Sequence, residues 1–164
     1  MKKIELKIAY TEYENEQELS IADRDLLQKA RKIAVTAYAP YSNFHVGAAI
    51  LLENGEIICG NNQENVAFPS SLCAERVAMY YAGAQYPKVA IKTIAITCKS
   101  KSFNIGAPLS PCGACRQAMS EYEVMHKSNI KVILMGETGK IQVMDSIADL
   151  LPFMFKAEEL KKNK

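Results

Sequence analysis

Lys92-Thr-Ile-Ala-Ile-Thr-Cys-Lys99, Cys112-Gly-Ala-Cys-Arg-Gln-Ala-Met-Ser-Glu-Tyr-Glu-Val-Met125 and Ile130-Lys-Val-Ile-Leu-Met135 follow one another as a β-branched strand, a helix and a second strand. The helix opens directly after Pro111, where the missing proline N–H costs nothing, and Ser100 to Ser110 forms the loop before it. A strand, helix, strand succession of this kind favours a parallel pair joined by a right-handed crossover. Upstream, His45 to Glu53 reads as a strand, Asn54-Gly55 as a two-residue hairpin turn, and Glu56 to Gly60 as the returning strand. A parallel pair and an antiparallel hairpin sharing one sheet give the expected fold: α/β, a three-layer α/β/α arrangement with a mixed β-sheet and helices on both faces.

Further out, Ser20 caps a helix whose apolar positions Leu26, Leu27, Ala30, Ile33, Ala34 and Ala37 follow helical spacing until Pro40 stops it. Cys73 to Ala84 reads as another helix, ended by Gly83 and Pro87 after a polar stretch from Asn61 to Ser71. Ile4, Leu6, Ile8 and Tyr10 alternate as one face of a strand, and the Glu-rich stretch from Glu12 to Glu18 breaks that pattern. The expected organisation is one domain over residues 1–164, with an N-terminal arm of about residues 1–18 and a charged, solvated helical tail of about residues 156–164.

The 164 residues include 20 Lys and Arg against 18 Asp and Glu, a balance that gives no electrostatic case for nucleic acid or an anionic membrane. The longest clear apolar run, Val46 to Leu52, is too short to span a bilayer. Met1 to Tyr10 alternates charge and apolarity where a secretory signal would be continuously apolar, so the expected compartment is the cytoplasm and the expected partner a small, nearly neutral molecule. Five cysteines in such a chain point to free thiols or metal ligands rather than to a disulfide framework.

Cys112 and Cys115, in Pro111-Cys112-Gly113-Ala114-Cys115, have the gap that lets two thiolates reach one tetrahedral metal, although a redox dithiol, a structural zinc half-site and buried thiols share that spacing. Cys73 starts the other helix, so two helix N-termini direct their positive ends toward three thiolates. Three sulfurs with the fourth position left to water is the pattern of catalytic zinc, whereas recruiting Cys59 would complete a structural four-sulfur site. Cys59 and Cys98 both sit in apolar strands, where a buried, inert thiol is the expectation, and His45 and His126 have no spacing to the thiols. Glu75, two residues after Cys73, is where a general base for that water is needed, and Arg76 beside it is placed to donate hydrogen bonds to sulfur and offset excess negative charge.

These residues make the chain resemble the zinc-dependent cytidine deaminases, specifically their homotetrameric, three-cysteine branch acting on free nucleosides. The resemblance runs from about Ala37 to Phe155 and rests on Tyr41-Ser42-Asn43-Phe44-His45-Val46-Gly47-Ala48-Ala49, Asn62-Gln63-Glu64-Asn65, Cys73-Ala74-Glu75-Arg76, Pro111-Cys112-Gly113-Ala114-Cys115-Arg116-Gln117 and Leu150-Leu151-Pro152. It implies Cys73, Cys112 and Cys115 as ligands of Zn2+ and Glu75 as proton shuttle. Asn62 and Glu64 are implied as binders of a ribose hydroxyl, Phe44 and Ala74 as substrate contacts, and Phe155 as the aromatic closing a neighbouring subunit's pocket. Positions two apart in an extended segment project to one side, which suits the Asn62 and Glu64 pair. The implied activity is hydrolytic deamination of cytidine and 2'-deoxycytidine to the uracil nucleosides and ammonia, in pyrimidine salvage, by a homotetramer or a homodimer.

Three departures from the family pattern stand out, the first being the strand from Lys3 to Tyr10, which has no counterpart in the family's usual short members. Val66-Ala67-Phe68-Pro69 replaces a segment that usually carries a hydroxyl and a tyrosine, which keeps open a deaminase of another aminopyrimidine nucleoside or of a nucleoside antibiotic. Phe153 and Met154 replace small polar residues after Pro152. The non-enzymatic alternative is a structural zinc module with Cys59 as fourth ligand.

Overall fold

A computed structural model of the chain, which describes residues 1–156 and Leu160, shows a six-stranded mixed sheet between two helical layers. In chain order the elements are β1 (Thr11–Tyr13), α1 (Ile21–Ala34), β2 (Phe44–Leu52), β3 (Ile57–Asn61), α2 (Ala74–Gln85), β4 (Ile91–Ser100), α3 (Gly113–His126), β5 (Lys131–Met135) and β6 (Ile141–Met144). The strand order across the sheet is β1-β6-β5-β4-β2-β3. β4 and β5 run parallel and every other neighbouring pair antiparallel.

Strand alternation sorts the core into two clusters. Ala48 and Ile50, Ile94 and Ile96, and Val132 and Leu134 face α2 and α3, packing with Ala74, Ala78, Met79, Cys115 and Met119. Ala49, Ala95, Ile133 and Ile141 face the other way, against Leu26, Leu27 and Ala30 of α1. This explains why β2 and β4 read as apolar runs without polar alternation: both of their faces are covered. Asn54-Gly55 does turn β2 into β3, with Gly55 at φ 88°, a conformation that favours glycine.

Ser20 caps α1 by accepting a hydrogen bond from the Asp23 N–H, as its position predicts. The helix closes at Ala34, earlier than Pro40 alone would require, and the Thr36 hydroxyl donates to the Ile33 carbonyl just beyond its end. The arm departs more from expectation. Ile4 to Tyr10 has no regular structure, and the strand falls instead on Thr11–Tyr13 inside the Glu-rich stretch. The reason lies in β6: Lys140 Nζ bridges Glu12 (2.7 Å) and Glu14 (2.9 Å), and Gln142 donates to Glu12, so the acidic residues acquire partners across the sheet that the apolar row lacks. β6 itself, four residues long, has no counterpart in the sequence reading. The expected helical tail lies, apart from Lys156 and Leu160, outside the described residues.

Candidate active site

α2 and α3 each begin on a cysteine. Cys73 and Cys112 occupy the N-cap positions in extended backbone, and neither uses its side chain to cap the helix. Their sulfurs are therefore free to converge. Cys73 Sγ lies 3.9 Å from Cys112 Sγ, Cys112 Sγ lies 3.4 Å from Cys115 Sγ, and all three fall within 4.8 Å of one another. Sulfurs placed tetrahedrally about 2.3 Å from one zinc are separated by about 3.8 Å, so the cluster fits the ion. Among the described residues no other group of three or more His, Cys, Asp or Glu side chains converges in this way.

Arg76 Nη2 donates to Cys73 Sγ at 3.7 Å, while its Nε is buried without a partner. The Cys73 thiol is lowered to about 5 by its hydrogen bond with Cys115 and by the Arg76 guanidinium. Cys115, fully buried beside that negative charge, is pushed up. Glu75, only 4% exposed in the first turn of α2, is raised above the ordinary carboxylate value of 4.5, chiefly by burial and then by the Cys73 charge. It lies close enough to Cys115 for the two groups to affect each other's protonation.

The other residues singled out in the sequence divide by location. Ala74 is fully buried under the first turn of α2. Asn62 and Glu64 both turn to the segment ahead of and opening β2, as their two-residue spacing implies. Asn62 Nδ2 donates to the Phe44 carbonyl at 2.9 Å, and its Oδ1 accepts from the Val46 N–H at 2.7 Å. The Glu64 carboxylate accepts from the Tyr41 N–H at 2.8 Å, the Ser42 N–H at 3.3 Å and the Ser42 hydroxyl. Phe44 is half-buried against the core and stacks on Phe103 with ring centroids 6.4 Å apart. Phe155 points its ring into solvent and is not gathered with the thiols of its own protomer.

The cysteines outside the cluster separate cleanly. Cys98 is buried, and burial pushes it up to about 11, matching the inert reading. Cys59 is exposed, which corrects the expectation of a buried thiol. It pairs with Ala49 on the α1 side of the sheet, so it cannot complete a four-sulfur site with thiols on the opposite side. Neither His45 nor His126 belongs to the cluster.

Two residues without an assigned role brace the site. Arg116 donates from Nε to the Pro111 carbonyl and from Nη1 to the Leu150 carbonyl, both at 2.8 Å, fixing the residue just ahead of Cys112. Gln117 holds the backbone of Phe155 at both its N–H and its carbonyl, each at 3.1 Å. The sequence signal for both is their place at the end of the motif Pro111 to Gln117.

Comparison with known proteins points the same way. Residues 20–130 match the family described as the cytidine and deoxycytidylate deaminase zinc-binding region. A cytidine deaminase of Halalkalibacterium halodurans is 38% identical over 137 residues, covering 82% of this chain and 95% of that protein. The corresponding protein of Sporosarcina psychrophila is 37% identical over 135 residues, covering 82% and 92%. The crystal structure of cytidine deaminase from Burkholderia pseudomallei superposes with a TM-score of 0.70 at 36% identity, covering 84% of this chain and all of that one. With a matching family profile over most of its length, and a three-thiol cluster of zinc geometry at the starts of two helices, this chain belongs to the zinc-dependent cytidine deaminase family.

Proposed function

We infer that the chain hydrolyses the exocyclic amine of cytidine and 2'-deoxycytidine, releasing ammonia and leaving the uracil nucleoside. The observation that carries this reading is the burial of Glu75 immediately beside three converging thiols, a position with no structural need for a carboxylate.

Cys73, Cys112 and Cys115 are proposed to hold the zinc, with Arg76 donating to Cys73 Sγ to offset the excess charge of three thiolates on a divalent ion. When bound there, zinc lowers the pKa of water and polarises the reacting centre. Glu75 takes the proton that water gives up, passes it to the ring nitrogen next to the amino-bearing carbon, and then supplies the proton on which the amine leaves. Atoms balance as nucleoside plus water to deaminated nucleoside plus ammonia. Burial suits Glu75 to this work because bulk water cannot intercept the proton between the two transfers.

Asn62 and Glu64 are proposed to bind a sugar hydroxyl, each using the hydrogen-bonding capacity left after it has braced the 41–46 segment. Phe44 and Ala74 are proposed to line the base site. Phe155, exposed in the protomer and held by Gln117, suits the proposed role of closing a neighbouring subunit's pocket in a homotetramer. Pyrimidine salvage in the cytoplasm is the setting proposed for the activity. Among the described residues no helix is long and apolar enough to cross a membrane.

The decisive test is Glu75→Gln. Ammonia release from cytidine should fall by about 10²- to 10⁴-fold while zinc content stays at the wild-type level. A Gln variant that retains turnover removes the proposed proton shuttle.

A further inference from the structure

Ile4, Leu6, Ile8 and Tyr10 are 50 to 79% exposed and alternate along the segment that leads straight into β1. None of them takes part in the active site. β1 is the outermost strand and, among the described residues, is bonded on one side only, to β6. Its outer edge therefore leaves backbone N–H and C=O groups open beside a row of apolar side chains, the combination that recruits another strand. The segment precedes the region matched to the family, which starts at residue 20.

The charges in this segment are polarised. Lys2, Lys3 and Lys7 outnumber Glu5 in its first half, and Glu12 and Glu14 lie in its second, where Lys140 serves both carboxylates. Two copies of such a strand, running antiparallel about a two-fold axis, set the basic half of each against the acidic half of the other. A parallel arrangement would align like charges.

We propose that residues 2–14 form an interface with a second copy of this chain, pairing antiparallel with themselves about Ile8 and continuing the sheet from one protomer into the next. In this register Ile8 faces Ile8, Leu6 faces Tyr10 and Lys2 faces Glu14, no two like charges are directly opposite, and a single apolar residue, Ile4, is set against a carboxylate, Glu12. Neighbouring registers are worse. Centring on Lys7 sets that cation against itself, and centring on Ala9 sets Leu6 against Glu12 and Ile4 against Glu14. Centring on Leu6 leaves most of the β1 edge unpaired, and a half-step slip puts the two apolar rows on opposite faces. The contact uses no residue of the zinc cluster and is separate from the tetramer proposed above.

The test is made on the full, zinc-loaded chain. Ile8→Cys should form a disulfide-linked dimer under mild oxidation, several-fold more than Lys7→Cys, because only position 8 meets its own copy directly. The unsubstituted chain sets the background from its own cysteines. In parallel, alternate backbone amides of residues 4–10, those that face the second copy, should exchange slowly, and at least tenfold faster in the Leu6→Asp/Ile8→Asp double variant, which keeps its ammonia release. Cross-linking at Ile8 no stronger than background or than at Lys7 overturns the proposal. Fast exchange of these amides in the unsubstituted chain overturns it as well.

Discussion

Glu64 shows how much a single carboxylate can organise. Its oxygens take hydrogen bonds from the Tyr41 and Ser42 N–H groups and the Ser42 hydroxyl, and the last of these in particular holds its pKa below 4.5. A carboxylate lowered by folding stabilises the native state at pH values above its unfolded pKa, and loses that contribution as pH falls through its folded pKa. Glu64→Gln should therefore lower the thermal midpoint at pH 7, and the gap to the unsubstituted chain should close on acidification below about pH 4. Thermal unfolding across a pH series measures this; a gap that ignores pH would mean the charge is not what holds the segment. At this scale the convergence of Cys73, Cys112 and Cys115 is legible in residue type and spacing, and so is the place of Glu75 beside them. The bracing work of Asn62, Glu64, Arg116 and Gln117 is not, because most of their partners are backbone N–H and C=O groups of residues whose identity leaves no mark in the sequence.

The placement of α2 depends on what lies beneath it. A Cβ at Gly60 of β3 would meet the Ala78 nitrogen at 2.6 Å and the Ala74 oxygen at 2.8 Å, both backbone atoms of the helix that Cys73 caps. Backbone cannot turn aside as a flexible side chain does, so Gly60→Ala should cost about 1–3 kcal/mol. It should also lift the first turn of α2, so that a chelator strips zinc faster than from the unsubstituted chain. Gly113→Ala provides the contrast. Nothing lies within 4 Å of a Cβ there, in the first turn of α3, so this change should leave both the thermal midpoint and the rate of zinc loss nearly as they were. Helices and the hairpin were readable from apolar period and turn residues. β6 was not, since Ile141-Gln-Val-Met144 is too short to show alternation, and β1 was misplaced because its pairing depends on Lys140, far away in sequence.

Across the molecule the sheet separates two layers, with α1 and Cys59 on one side and α2, α3 and the thiol cluster on the other. Ligands drawn from two elements make the ion part of the tertiary structure, so binding and folding are coupled. Removing zinc with a chelator should lower the thermal midpoint. Adding it back at about 1,000 times its dissociation constant should restore about 4 kcal/mol, whereas magnesium, which prefers oxygen ligands, should restore nothing. A midpoint indifferent to zinc would show that the cluster is not an ion site.

Cys112 and Cys115 are neighbours along the chain, whereas Cys73 stands 39 residues before Cys112 and reaches it only once α2 has settled on β3. A polypeptide still emerging from the ribosome, halted before Pro111, owns one of the three sulfurs and can grip nothing. Once Cys115 is added, the close pair offers a loose two-point chelate, and docking of α2 converts it into a firm one. The three-point grip on the ion thus requires both Cys115 to have been made and the helix capped by Cys73 to have docked.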